Sequence, residues 1–98
     1  MLKKAIIRPV HKARLDVDAA GGITPVLLRM DPGGEVHAIE RVERVDDRLV
    51  EVWYEVVTSA GDRLVLRLIR EGLRLELHTV ETERPERWAN WSEREARS

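Results

Sequence analysis

The sequence predicts a mainly β domain: an antiparallel meander of six strands, forming a strongly twisted sheet or small partly open barrel, followed by one C-terminal helix. Three observations lead there. Turn residues recur at short, regular intervals from Asp18 to Gly72. The segments between them are rich in Val, Leu, Trp and Tyr and tend to alternate apolar with polar side chains. The connections are too short to hold a crossover helix, so consecutive strands must pair antiparallel and a parallel α/β fold is excluded.

Taken in order, the first strand spans 11–17, with Ala13, Leu15 and Val17 alternating, and ends at the turn Ala19-Ala20-Gly21-Gly22. The second spans 23–30. Its Val26, Leu27 and Leu28 are consecutive and Pro25 removes a ladder donor, which places it at an edge or a corner. Asp31-Pro32-Gly33-Gly34 supplies a turn with a Pro-fixed φ and glycines free to take positive φ. The third strand, 35–45, has Val36, Ala38, Val42 and Arg44 in one phase and Ile39 and Val45 in the other, and a bulge near 39–41 reconciles them. After Asp46-Asp47 comes the clearest strand, 48–58, with Val50, Val52, Tyr54 and Val56 facing the core. The strand 63–70 turns Leu64, Leu66 and Leu68 inward, and 73–79 does the same with Leu73, Leu75 and Leu77. A two-residue turn at Glu71-Gly72 then sets Leu68 opposite Leu75, Leu66 opposite Leu77 and, outside, Arg67 opposite Glu76.

After Val80 the composition shifts to Glu, Arg and Trp. Pro85 at the first helical position, an acid in the first turn and a Glu93/Arg97 pair predict a helix over 85–97 with Trp88 and Trp91 on one face. A lone helix of ~13 residues is marginal in water, so this one needs a surface to dock on. The second side of the sheet offers one, because Leu49, Trp53, Val57, Val65, Ile69 and Val80 punctuate its charged rows. The expected organisation is therefore a single domain over 1–98, with a β meander over 10–80 and the helix over 85–97.

Composition narrows the function classes. Of 98 residues, 43% are hydrophobic, enough for one core. The 17 Lys and Arg nearly cancel 18 Asp and Glu for a formal charge of −1, so the basic excess of a generic polyanion binder is missing. Zero Cys excludes disulfides, thiolate nucleophiles, Cys-based zinc and iron–sulfur clusters. The apolar run opening at Met1 is broken by Arg8-Pro9, too short for a signal peptide or a span, and a soluble cytoplasmic protein is expected by default.

No chemistry stands out. His11, His37 and His78 have no metal-ligand spacing and read as structural or solvated. Asp16 and Asp18, the Asp46-Asp47 pair, and Glu81 and Glu83 read as solvated carboxylates, and Gly33-Gly34 as turn chemistry. No catalytic set, metal, cofactor or small-molecule substrate is expected. The preferred reading is a non-catalytic interaction or accessory module that engages a protein partner or a second copy of itself as a homodimer, through Trp53, Val57, Val65, Ile69, Trp88 and Trp91. The outer rows Glu51, Glu55, Arg63, Arg67, Arg74 and Glu76 read as a cross-strand charge ladder. The alternative is a nucleic-acid accessory domain in which Arg63, Arg67 and Arg74 act beside Trp53.

The stretch Asp18-Ala19-Ala20-Gly21-Gly22-Ile23-Thr24-Pro25, with Gly34-Glu35-Val36-His37-Ala38-Ile39-Glu40-Arg41-Val42, resembles small bacterial β-domain proteins of unknown function. In these an Asp-Gly-x-Ile-x-Pro segment precedes a Gly-initiated strand of the form x-x-x-I-x-x-V. The resemblance covers about residues 9–80 and implies a β domain, with no activity, cofactor or site residue to carry over. Leu73, Leu75 and Leu77 stand where that family tends to place aromatic residues, and the resemblance does not extend to the Trp-bearing helix.

Overall fold

The computed structural model describes residues 2–88. It contains seven strands, β1 (Leu2–Pro9), β2 (Lys12–Val17), β3 (Ile23–Arg29), β4 (Val36–Asp47), β5 (Glu51–Thr58), β6 (Arg63–Ile69) and β7 (Arg74–Thr82), all antiparallel to their neighbours in the order β1-β7-β6-β5-β4-β3-β2. Strands β2 to β7 are the expected meander. One strand more than expected is present, because β1 pairs with β7 at the far end. The adjacent Ile6 and Ile7 hide it from a search for alternation. They form a bulge, Ala5 lying opposite Thr79 and Arg8 opposite Leu77. Ile6 is buried, while Ile7, at φ 49, turns to solvent in a conformation that β-branched residues rarely adopt.

Only Val10 and His11 separate β1 from β2, although these strands occupy opposite ends of the sheet order. The Val10 N–H donates to the Leu75 carbonyl on β7 (2.9 Å), and the His11 N–H donates to the Arg29 carbonyl beside it on β3 (2.9 Å). Two successive amides thus tie the two ends together. The sheet can satisfy both bonds only by curling, and it forms a half-barrel whose concave side holds the core of Leu28, Tyr54, Val56, Leu64, Leu66, Leu68 and Leu77.

The remaining differences from expectation have local causes. β2 is the end strand, so of the two places expected for β3 it takes the corner and not the edge. β3 is a corner: it pairs with β4 only at Leu27/Ala38, Leu28/His37 and Arg29/Val36, and the Tyr54 hydroxyl donates to the Ile23 carbonyl (2.7 Å) where that ladder has ended. On β4 the expected bulge lies between Ile39 and Arg41, and a second lies between Val42 and Arg44. Ile39, Val42 and Val45 therefore oppose Thr58, Val56 and Tyr54, alternate residues of β5, and share their face. β4 runs on through Asp47, so Asp46-Asp47 is strand. β5 starts at Glu51, which leaves Leu49 (93% exposed) and Val50 (65%) in the hairpin turn rather than Val50 in the core.

Between β6 and β7 the predicted register is present, with Leu66, Arg67 and Leu68 opposite Leu77, Glu76 and Leu75. The turn is longer than two residues. Ile69 pairs with Arg74, the Leu73 N–H donates to the Arg70 carbonyl (3.1 Å), and Leu73, at φ 49, is exposed instead of inward. A bulge at His78 then reverses the phase of β7, so Val80 is fully buried in the core and not on the outer side.

At Pro85 the chain makes one 3-10 turn, Pro85–Arg87, and Trp88 is already extended (φ −109, ψ 97). The helix expected over 85–97 therefore does not run through Trp88. Positions 89–97, with Trp91 and the Glu93/Arg97 pair, lie outside the described residues. No helix among the described residues is long and apolar enough to cross a membrane.

Candidate functional site

Trp88 docks, but on the concave side and not on the outer face. Its indole is 3% exposed and stacks on the His37 ring at 3.9 Å and 9°. Its Nε1–H donates to Asp62 Oδ2 (3.0 Å), and Asp62 Oδ1 accepts from the Thr82 hydroxyl (2.6 Å). Asp62 sits in the β5–β6 turn, where its amide donates to Thr58 Oγ1 (3.1 Å) and its carbonyl accepts from the Thr58 N–H (2.8 Å). The Arg84 N–H donates to Thr82 Oγ1 (2.9 Å). A carboxyl group only 4% exposed thus accepts one hydrogen bond from β7 and one from the tail, the partners that a buried polar group requires.

Burial pushes the His37 pKa below its ordinary value, against the raising influence of Glu35 and Asp62, while Arg87 adds to the lowering. His37 Nδ1 lies 3.5 Å from Glu35 Oε2, and Arg87 Nη2 lies 3.7 Å from the same oxygen. The cavity beside them, lined by Ile6, Met30, Leu77, Asp31, Glu35, Arg87 and Trp88 among others, measures about 50 Å³. That is room for a few waters and far below the ~300 Å³ of an ordinary ligand pocket. The arrangement anchors the tail. Sequence reasoning missed Asp62 and left His37 as structural or solvated, because the Asp62–Trp88 bond spans 26 positions and no local pattern announces it.

The outer face is closed by its own charges. Trp53 is partly buried, with its Nε1–H donated to Glu51, His78 edge-on at 4.6 Å, and the Arg67 guanidinium carbon 5.9 Å from the ring centroid. Arg67 donates from Nε and Nη2 to Glu51 Oε1 (3.1 and 2.8 Å) and from Nη1 to Glu76 Oε1 (3.1 Å), an oxygen that also lies 3.1 Å from His78 Nε2. Arg67 first, and Trp53 after it, hold Glu51 below the usual carboxylate range; His78, with Arg67, does the same for Glu76. This is the ladder expected from the register.

The residues proposed from sequence therefore scatter. Trp53, Val65 and Ile69 are partly buried on the outer side. Val57 is 5% exposed, with Arg41 and Arg63 opposite it on the two neighbouring strands, so it offers no surface. Trp88 is in the core, and Trp91 lies outside the described residues. Of the three arginines, Arg67 is held by two acids and Arg63 pairs with Glu43, while Arg74 is exposed.

A surface that the sequence did not reveal lies on the β4–β5 hairpin. Leu49, Val50 and Val45 (54% exposed) stand in solvent there, and Leu73 of the β6–β7 turn is exposed as well. The two turns are tied by the Arg70 N–H donating to the Val50 carbonyl (3.1 Å) and by the Arg70–Asp47 ion pair. The same hairpin carries an open edge: among the described residues, β4 beyond Ala38 pairs only with β5. Alternation alone assigns Leu49, Val50 and Leu73 to strands, whereas the turn lengths expose them.

Among the described residues no three His, Cys, Asp or Glu side chains gather as a metal-binding group. Comparison with known proteins finds no matching protein family, no matching curated protein and no matching solved structure, so the resemblance to small bacterial β-domain proteins rests on the residues that carry it.

Proposed function

We propose that the protein is a non-catalytic interaction module that associates with itself through the β4–β5 hairpin. The carrying observation is that Val45, Leu49 and Val50 stand exposed on one hairpin in which, among the described residues, β4 beyond Ala38 is paired only with β5. Covering apolar surface contributes roughly 25 cal/mol per Å², and a row of unpaired N–H and C=O groups is a template for another strand. Trp53, Val65 and Ile69 lie under a ladder that is already satisfied, so they add less than the sequence suggests. The nucleic-acid alternative is disfavoured because Arg63 and Arg67 are engaged by glutamates and the chain, at a formal charge of −1, lacks the basic excess that drives counterion release.

The test is size-exclusion chromatography with light scattering over a dilution series of the full chain. The expected result is a dimer that dissociates on dilution. A monomer at every concentration overturns the reading.

A further inference from the structure

The edge of β4 that no described residue pairs with reads Ile39-Glu40-Arg41-Val42-Glu43-Arg44-Val45, a string that complements its own reverse. Laid antiparallel on a second copy and centred on Val42, it sets Glu40 opposite Arg44, Arg41 opposite Glu43, Val42 opposite Val42 and Ile39 opposite Val45. We propose that two copies of this chain join edge to edge through β4, about a two-fold axis at Val42, so that the sheet continues from one subunit into the other. This inference rests on the self-association reading and adds its surface, register and symmetry.

The register is selected by charge. Moving the axis half a residue toward the N-terminus brings Glu40 against Glu43, and half a residue the other way brings Arg41 against Arg44. Moving it a whole residue sets Arg41 or Glu43 against itself. Like charges directly opposite one another destabilise a strand pair, so the neighbouring symmetric registers are all penalised and the Val42-centred one is not. A closed pair of identical subunits requires such a self-complementary patch.

The bulges support the same pairing. Because of them Ile39, Val42 and Val45 share the concave face, while Arg41 and Arg44 oppose Val57 and Glu55 on the other. Centring on Val42 matches apolar with apolar on the first face. The ion pairs these side chains now make are Arg41 with Glu43 (3.3 Å) and Glu40 (3.7 Å), Arg44 with Glu55 (3.8 Å), and Glu43 with Arg63. All lie near the surface, where such pairs are weak enough to be shared or exchanged. Charges and bulges on an edge otherwise serve to keep strands apart. An edge protected in that way presents a charge to its own kind, which this one avoids.

The experiment uses two full-length variants, Arg41→Glu with Arg44→Glu (acidic edge) and Glu40→Arg with Glu43→Arg (basic edge), each checked for the wild-type circular dichroism spectrum. Light scattering should show a wild-type dimer, each variant alone weakened on the order of tenfold or more, and association recovered on mixing the two. Because the chain has no Cys, Val42→Cys provides a second readout that does not depend on those variants folding. Under oxidised glutathione the two thiols at the axis lose their protons and two electrons to the glutathione disulfide and form one intersubunit bond, whereas Ala20→Cys in the β2–β3 turn should not crosslink. A dimer that persists in either charge variant alone, a mixture that stays monomeric, or equal crosslinking at both cysteines overturns the β4 pairing while leaving self-association standing. A wild-type monomer removes self-association itself.

Discussion

Trp88→Ala tests the anchor on which the path of the tail depends. The indole is 3% exposed and stacks on His37, and truncating a buried Trp to Ala costs about 3–5 kcal/mol. Asp62 also loses the Nε1–H donor at 3.0 Å, and leaving a buried acceptor short of a partner costs about 1–3 kcal/mol. These losses are not simply additive, because the variant has an escape. Beyond Thr82 the tail is held by the Arg84–Thr82 bond, the Arg87–Glu35 pair and Trp88 itself, and each residue released regains roughly 1–2 kcal/mol of backbone entropy. Once the tail lets go, water reaches Asp62 and the penalty is capped. The net expectation is a loss of about 2–4 kcal/mol, or roughly 10–25 °C in melting temperature for a domain of this size. Urea melts followed by far-ultraviolet circular dichroism measure it, since the remaining tryptophans confuse a fluorescence readout. Trp88→Phe keeps a ring on His37 but drops the N–H and should cost less than half as much. Combining Trp88→Ala with Asp62→Asn, which removes the unmatched charge, should cost less than the sum of the single changes. A Trp88→Ala midpoint within about 0.5 kcal/mol of wild type would refute the anchoring argument, because it would mean the indole holds nothing.

Two further outcomes follow from the geometry. The lowered pKa of His37 means that the folded chain binds fewer protons than the unfolded chain below about pH 6.5, so this contribution to stability is complete above that pH and is lost as pH falls toward the lower folded value; His37→Phe, which keeps a ring on Trp88, should flatten the profile between about pH 7 and 5, and parallel wild-type and variant profiles there would contradict the assignment. Leu73 holds φ 49 while 53% exposed, and relief of about 1–2 kcal/mol of left-handed strain outweighs roughly 0.5–1 kcal/mol of glycine entropy. Leu73→Gly should therefore raise the urea midpoint slightly, and a clear fall would show that the Leu side chain packs usefully in the turn.

The parts of the fold legible in the sequence are those set by neighbours in the chain. The β6–β7 register followed from alternating leucines and a Gly72 turn, and the bulge between Ile39 and Arg41 followed from a phase conflict inside β4. Where a bulge leaves two apolar residues side by side, as at Ile6-Ile7, the strand disappears from view, and the bulge at His78 moved Val80 from the outer face to the core. The hairpin surface was hidden for a related reason. Alternation continues through Leu49 and Val50 as if they were strand, and only the turn geometry, closed by the Arg48 N–H on the Glu51 carbonyl (2.9 Å), puts them in water.

By itself, then, the order of residues determined an antiparallel β domain, its hairpins, much of its pairing and an outer ladder of matched charges, because each depends on contacts between strands adjacent in the chain. Only the tertiary structure decided that β1 closes onto β7, that Trp88 turns inward to Asp62 and His37, and that, among the described residues, β4 beyond Ala38 is paired along one edge alone. Those depend on groups tens of residues apart meeting across a curled sheet, where the curvature is the sum of every strand's twist and bulge and no single segment encodes it.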